Sequence, residues 1–364
     1  MKYYVIAGEA SGDLHGAKII ESIKKLDKKA KFRVWGGERM KRSGGDIVKH
    51  INQLSFMGFW EVLKNINTIL KNIRFCKRDI NSYNPDKIIY IDYPGFNMVI
   101  SKWAKKEGFQ NHFYISPQIW AWKENRIKKI KRDIDYLYVI LPFEKEYYKE
   151  KHNFHVHYVG HPLVEIIDKE KKNTHYFPLK LTKPVIALLP GSRKQEIKKM
   201  MPVYKSVVDD FSNYEFIIAG VSNISKEWYS KILKDDKIKI VYDKTYDLLK
   251  RSTAAIVTSG TATLETALFN VPQIVCYKSS LLSYLIGKLF IKLKYISLVN
   301  IIMNREVVKE LIQSDCSKIN IIKELSQLLK NENIISVKKE YEILRGKLGK
   351  EKSSLKVAKL ITKV

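Results

Sequence analysis

The chain has 364 residues, 45% hydrophobic and 29% charged, which suits about two folded domains and argues against disorder. Three scattered cysteines (Cys76, Cys276, Cys316) argue against a disulfide framework and form no C-x-x-C pair, and the histidines show no metal-ligand spacing. The net charge of +28, mostly lysine, is either a composition bias or a surface that attracts anionic membranes, nucleic acid or phosphorylated substrates; no nucleic-acid module is visible.

The N-terminal apolar run is too short for a signal peptide, and no uninterrupted apolar stretch is long enough to span a bilayer. Even Leu281–Ile302 is broken by Lys288, Lys292 and Lys294. Short Val-, Ile- and Tyr-rich runs predict strands at Lys2–Ala7, Phe32–Gly36, Lys87–Asp92, His112–Ile115, Tyr136–Leu141 and Val156–Val159. A second set follows at Val185–Leu189, Glu215–Ala219, Ile238–Tyr242, Ala254–Thr258 and Gln273–Cys276. Helical patterns separate them, so the fold class is α/β with two Rossmann-like, doubly wound domains. The lysine-rich segment Asp168–Lys183 reads as the linker, which gives domains at 1–167 and 184–318. Helices from 319 to 364 would pack back on the first domain or on a partner subunit. Two such domains are expected to face each other across a ligand-binding cleft.

The first strand runs into GEASGDLHGA, a turn of small residues that lets a ligand approach a helix N-terminus or serves only as a tight turn. Next comes the Phe59–Phe75 segment, whose apolar stripe suits either core packing or a membrane interface. Asp92 stands at the carboxyl end of the Lys87–Asp92 strand, where a carboxylate can take a proton from an attacking hydroxyl or cap the next turn. Trp120 and Trp122 either wall a cleft or pack on the sheet. The basic helix from Arg126 to Arg132 is either a solvated face or one that meets phosphate.

In the second half, Pro190-Gly191-Ser192-Arg193 turns from a strand into a helix, with backbone N–H groups and a guanidinium suited to diphosphate. Ser259, Gly260 and Thr261 begin another helix, and Glu265 lies one turn on, where it can accept ribose hydroxyls. Two phosphate-suited turns and a carboxylate suggest a nucleoside diphosphate.

The ordered strings GEASGD, GGERM, MGFWEVL, IDYPGFN, YISPQIWAW, LPFEKEYY, GHPL, LLPGSR, SGTATLE and YISLVNIIMNREVVKELIQ resemble the lipid-A-disaccharide synthase family over residues 3–315. The resemblance implies a GT-B-type, inverting glycosyltransferase of lipopolysaccharide biosynthesis that uses no metal or other cofactor. Its donor would be UDP-2,3-diacylglucosamine and its acceptor 2,3-diacylglucosamine 1-phosphate (lipid X). It implies catalytic roles for Asp92 and Arg193, and donor contacts at Gly191, Ser192, Arg193, Ser259, Gly260, Thr261, Glu265 and Asn300. Glu9, Ser11, Asp13, Trp120, Arg126 and Arg305 would lie at the acceptor or cleft. Phe59, Trp60, Leu63, Ile66 and Leu70 would touch acyl chains or membrane. Gly95 stands where many members carry an acid, which favours Asp92 as base, and Val299 stands where proline is common. The family further implies a cytoplasmic enzyme, peripheral on the anionic inner membrane, without nucleic acid, as a homodimer with exchanged C-terminal segments. The competing readings are another GT-B-type UDP-GlcNAc enzyme (a 2-epimerase or peptidoglycan-type transferase) and a non-enzymatic basic protein binding membrane or RNA.

Overall fold

The computed structural model describes residues 1–54, 66–173, 181–233, 238–279 and 293–363. It divides into two units, Met1–Pro162 with Leu348–Val364, and Leu163–Lys347.

Unit 1 is built on a parallel sheet in the order β3-β2-β1-β4-β5-β6-β7. The strands are β1 (Lys2–Ala7), β2 (Lys31–Gly36), β3 (Asp46–His50), β4 (Lys87–Ile91), β5 (Gln110–Tyr114), β6 (Tyr136–Val139) and β7 (His157–Tyr158). Unit 2 carries the order β10-β9-β8-β11-β12-β13. Its strands are β8 (Val185–Leu189), β9 (Glu215–Gly220), β10 (Lys239–Tyr242), β11 (Ser252–Thr258), β12 (Gln273–Tyr277) and β13 (Lys309–Ile312).

The central strands are continuous apolar runs because helices cover both faces of a parallel sheet. KIIYI of β4 and VIALL of β8 are buried at every position. Burying each Ile or Leu contributes about 1.5–3 kcal/mol. In each sheet the strand order reverses between its first and fourth strand, β1/β4 and β8/β11. At such a reversal the loops beyond the carboxyl ends part and leave a crevice.

Two strands were not foreseen. β3 (DIVKH) and β13 (KELI) are edge strands of mixed polarity, mostly half-buried, so they lack the apolar run that marks the others. The chain leaves unit 1 at Pro162, within the first residues of the Pro162–Lys171 helix, rather than at residue 167. That helix runs through the start of the expected linker, and Arg345 Nη2 donates to both oxygens of Asp168 at 2.6 and 2.7 Å. The helices Lys318–Leu328 and Asn331–Lys347 belong to unit 2, and only residues from Leu348 onward return to unit 1.

There the Ser353–Lys363 helix packs on the Ala10–Leu26 helix. Ser354 bonds Ser22 at 3.2 Å, and Ser353 bonds the Tyr114 hydroxyl at 2.9 Å. The Lys87 ammonium, buried in β4, donates to the Ile361 carbonyl in the last turn of that helix. A cation is favoured at a helix C-terminus.

The expected Phe59–Phe75 helix is described from residue 66 and extends to Tyr83. Its buried positions are Asn72, Cys76 and Ile80, whereas Ile66 and Leu70 are 46% and 45% exposed. Asp79 fastens it to the sheet, accepting from Arg33 Nε (2.9 Å), Arg33 Nη2 (2.7 Å) and the Tyr4 hydroxyl (2.7 Å). Phe59, Trp60 and Leu63 lie outside the described residues, as does most of the Leu281–Ile302 stretch. Among the described residues, no helix is long and apolar enough to cross a membrane.

Candidate functional site

The crevice-forming ends of β1 and β4 carry the polar residues of unit 1. β4 pairs in register with β1 and β5, so its exit lies beside the GEASGD turn. Asp92 and Tyr93 are successive residues in the left-handed region (φ 46° and 51°), a costly conformation for residues other than glycine. Hydrogen bonds hold it: Asn97 Nδ2 donates to the Asp92 carbonyl at 2.7 Å, and the Asp92 N–H donates to the Tyr114 carbonyl at 2.9 Å. The Tyr93 ring fills the space a side chain would need at Gly8, where a Cβ would meet its Cγ at 2.4 Å.

Burial pushes the Asp92 carboxyl up to about 6, and the negative charge of Glu9 adds to the rise. A hydrogen bond from the Tyr93 backbone opposes both. The Asp92 carboxylate does not cap the next helix. The N-cap of Pro94–Lys106 is Tyr93, with no side-chain cap.

The other unit 1 candidates divide. Glu9 stays at the turn and accepts from Ser11 Oγ. Asp13 is turned inward and buried. Its carboxylate accepts from the N–H groups of Gly37 (2.7 Å), Met40 (3.1 Å) and Arg39 (3.2 Å), tying down the start of the Glu38–Arg42 helix. That occupation corrects its expected place at the acceptor.

Trp120 donates through Nε1 to Glu144 at 3.2 Å and sets its ring edge-on to Phe143. Glu144 had no expected role. It is a buried hub that also accepts from Ser116 Oγ, Ile140 N and Leu141 N. Burial pushes its carboxyl up to about 7 despite these donors. Its signal was the acid inside LPFEKEYY, which is too short a clue to show burial. Arg126 lies 5.4 Å from the Trp122 ring and has no carboxylate partner among the described residues. Burial pulls its pKa down.

Unit 2 gathers most of its candidates around one cavity of about 400 Å³ at the β8/β11 reversal. Gly191, Ser192, Arg193, Ser259, Gly260, Thr261 and Glu265 all line it. Gly191 adopts φ +105°, and a Cβ there would meet Glu196 Oε2 at 2.6 Å, so the turn requires glycine. Arg193 is the N-cap of Lys194–Lys205, and Gly260 (φ 149°) is the N-cap of Thr261–Leu268, neither with a side-chain cap. Ser259 does not cap that helix as expected; its hydroxyl donates to the Ile296 carbonyl at 2.9 Å. Two helix N-termini and a guanidinium thus meet one cavity, an arrangement suited to a doubly charged diphosphate.

Glu265 sits one turn down, buried, with Oε1 accepting from the Tyr246 hydroxyl at 2.6 Å. Burial raises its pKa, partly offset by that bond. Sequence reading missed Glu196, whose signal was an acid at the third position of the helix that Arg193 opens. It accepts from Arg193 Nη1 at 3.2 Å and from the Ser192 N–H at 3.3 Å.

Asn300, expected to touch the donor, is instead fully buried and spent on the backbone. Its amide donates to the Val308 carbonyl and Glu310 and accepts from the N–H groups of Val307 and Val308, all at 2.7–3.0 Å. The chain before β13 supplies polar backbone groups that need partners. Arg305 pairs with Glu340 of the Asn331–Lys347 helix and does not line the cavity. Among the described residues no cluster of His, Cys, Asp or Glu is arranged to hold a metal ion.

The fold is shared with solved structures of an epimerase and a glycosyltransferase. The UDP-GlcNAc 2-epimerase from Neisseria meningitidis, solved bound to UDP-GlcNAc, matches over 100% of this chain and 99% of its own (TM-score 0.65, 13% identity). The calicheamicin glycosyltransferase matches over 99% and 97% (TM-score 0.62, 10% identity). Two Rossmann-like domains of this kind define a GT-B-type fold, here with a phosphate-suited crevice in unit 2.

Sequence relatives narrow the class. The lipid-A-disaccharide synthetase family model matches residues 3–364. The lipid-A-disaccharide synthases of Coxiella burnetii (strain CbuK_Q154) and Syntrophus aciditrophicus (strain SB) are each 36% identical. The first covers 98% of this chain and 96% of the relative, the second 95% and 93%. The chain belongs to the lipid-A-disaccharide synthase family and is a glycosyltransferase.

Proposed function

We propose that the enzyme transfers 2,3-diacylglucosamine from UDP-2,3-diacylglucosamine to the 6-hydroxyl of 2,3-diacylglucosamine 1-phosphate. The products are the β-1,6-linked disaccharide 1-phosphate and UDP. Unit 2 holds the donor's UDP at the β8/β11 reversal, and Asp92 of unit 1 is the base. The observation that carries this reading is the convergence of Gly191–Arg193, Ser259–Thr261 and Glu265 on one cavity.

The acceptor hydroxyl attacks the anomeric carbon from the face opposite UDP, so configuration inverts. Asp92 takes the hydroxyl proton as the new C–O bond forms, and the bond to the diphosphate oxygen breaks. Charge then grows on the leaving diphosphate, where Arg193 and the two uncapped helix starts stabilise it. Glu265 accepts from ribose hydroxyls. These groups carry the charge without a divalent ion, so turnover persists in excess EDTA.

The substrates are membrane lipids, so the enzyme works as a peripheral protein on the cytoplasmic, anionic face of the inner membrane. The exposed Ile66 and Leu70 contact the bilayer interface. A homodimer with exchanged C-terminal segments could reuse the contacts the Ser353–Lys363 helix makes on the Ala10–Leu26 helix, and sedimentation measures whether it forms.

The decisive experiment incubates the purified protein with both lipid substrates and follows products by mass spectrometry. The disaccharide and UDP should appear together. UDP release without disaccharide, or activity on plain UDP-N-acetylglucosamine alone, would overturn the assignment.

A further inference from the structure

Glu144 of unit 1 is a buried acid that the transfer mechanism does not use. It is 1% exposed, and its two oxygens serve two different loops. Oε1 accepts from Ser116 Oγ at 3.0 Å and from Trp120 Nε1 at 3.2 Å, both on the loop that leaves β5. Oε2 accepts from the N–H groups of Ile140 (3.1 Å) and Leu141 (2.8 Å), where the chain leaves β6. All four donors are uncharged. The rise of its carboxyl to about 7 shows that these bonds do not fully offset the penalty of burial.

What Glu144 holds is strained. Ile115, the residue before Ser116, has φ 62°, and a β-branched side chain in the left-handed region is a costly outlier. Such a conformation persists only where its surroundings over-determine it. Here the Ile115 N–H donates to the Tyr138 carbonyl at 3.2 Å, and the next residue is tied to Glu144. One residue earlier, the Tyr114 carbonyl accepts the Asp92 N–H at 2.9 Å, so the loop begins beside the proposed base. It then runs to Trp122, which is 45% exposed, with Lys123 and Arg126 at 4.4 and 5.4 Å from the centre of its ring. An exposed aromatic face and a guanidinium without a carboxylate partner suit a sugar that carries a phosphate.

We propose that Glu144 is a positioning residue for the acceptor: it fixes the Ser116–Arg126 loop as the wall of unit 1 that receives the acceptor's phosphorylated sugar. This rests on the transfer reaction proposed above. The carboxylate is enclosed and acts through Ser116 and Trp120. An amide cannot take its place, because glutamine has one acceptor oxygen for four donors. With that oxygen on the Ile140 and Leu141 N–H groups, its NH2 meets the indole N–H of Trp120, donor against donor.

The test measures kcat and the KM of each substrate for wild type, Glu144→Gln, Trp120→Phe and the double variant, with UDP affinity by calorimetry. Glu144→Gln should raise the acceptor's KM roughly tenfold, the scale of one buried donor left unpaired, and leave the donor's KM and the UDP Kd within about twofold. Trp120→Phe should raise the acceptor's KM less, and adding it to Glu144→Gln should change little further, because both remove the same bond. The control is Asp135→Asn. Asp135 accepts the Asn111 N–H at 2.9 Å beside the amino end of β5, so this variant should lose stability with both KM values unmoved. A purely structural role for Glu144 would give the control's pattern, a smaller folded fraction with lower kcat and neither KM changed, and would overturn the proposal. Equal rises in both KM values would overturn it too. If Glu144→Gln does not fold, Trp120→Phe decides by the same split. A wild-type enzyme that forms no disaccharide overturns the transfer reading and this proposal with it; an unmoved acceptor KM in an active enzyme overturns this proposal alone.

Discussion

Arg193 donates through Nη1 to Oε1 of Glu196 at 3.2 Å, so the guanidinium offered to a diphosphate already holds a carboxylate from its own helix. Glu196 also accepts from the Ser192 N–H, a second group suited to phosphate. A bound diphosphate would compete with Glu196 for both donors. Glu196→Gln keeps an acceptor for the turn and removes a like charge, an effect of about 1 kcal/mol across solvent-screened distances. UDP should bind several-fold tighter to this variant by calorimetry. Arg193→Ala should bind UDP roughly ten- to a hundredfold more weakly and lose turnover with it. An unchanged Kd in both variants would remove this pair from the donor site.

Asp92 links activity and stability in opposite directions. Asp92→Asn should lower kcat by about 10²–10⁴ with UDP affinity intact. A loss of UDP binding would mean a structural role. The wild-type rate should fall as pH drops through about 6, where the carboxyl gains its proton. Glu9→Gln removes the neighbouring negative charge and should move that acid limb to lower pH. For stability the sign is reversed. The folded pKa is raised, so the folded state favours the protonated form, and stability from this group is lost as pH rises through about 6. Asp92→Asn should therefore raise the thermal midpoint at pH 8, with the gain fading below pH 4.

If Glu265 accepts ribose hydroxyls as proposed, its removal separates ribose from phosphate recognition. Its Oε1 is held by Tyr246, one turn below the Gly260 N-cap. Glu265→Ala should weaken UDP while leaving inorganic pyrophosphate unaffected, and Tyr246→Phe should produce a smaller change of the same kind. Equal weakening of both ligands would place Glu265 in the phosphate cradle instead.

Asp79 anchors the Ile66–Tyr83 helix to the sheet of unit 1. Burial pushes its carboxyl up, but the Arg33 fork and the Tyr4 hydroxyl outweigh that and hold it below the usual value. Its contribution is therefore present above about pH 4 and lost as pH falls through the depressed folded pKa. Asp79→Ala leaves the Tyr4 hydroxyl and the Nε and Nη2 of Arg33 without this acceptor, with Asp46 still at Arg33 Nη1, which should cost about 2 kcal/mol at neutral pH in chemical denaturation. The difference from wild type should shrink in acid.

The central strands were legible because burial on both faces demands unbroken apolar runs, as in KIIYI and VIALL. β3 and β13 were not, because edge strands can be polar. That Gly191–Arg193 and Ser259–Thr261 would share one cavity was legible for a related reason: small residues between a buried strand and a helix mark the carboxyl end of that strand. Asp13 and Asn300 show the limit. Both stand inside recognisable strings, yet a side chain turned inward to satisfy backbone N–H groups carries the same letter as one turned toward a ligand. Glu196 and Glu144 escaped notice because their importance lies in partners brought by the fold.

The return of Leu348–Val364 to unit 1 has a consequence for biosynthesis. During translation the amino-terminal domain must wait for the whole of unit 2 before its closing helix emerges. At about 5–20 residues per second that interval is tens of seconds or less. Through it the surface of the Ala10–Leu26 helix stays uncovered, and Lys87 sits in its strand without the Ile361 carbonyl. Nascent chains at this stage should be the form that chaperones hold and proteases cut.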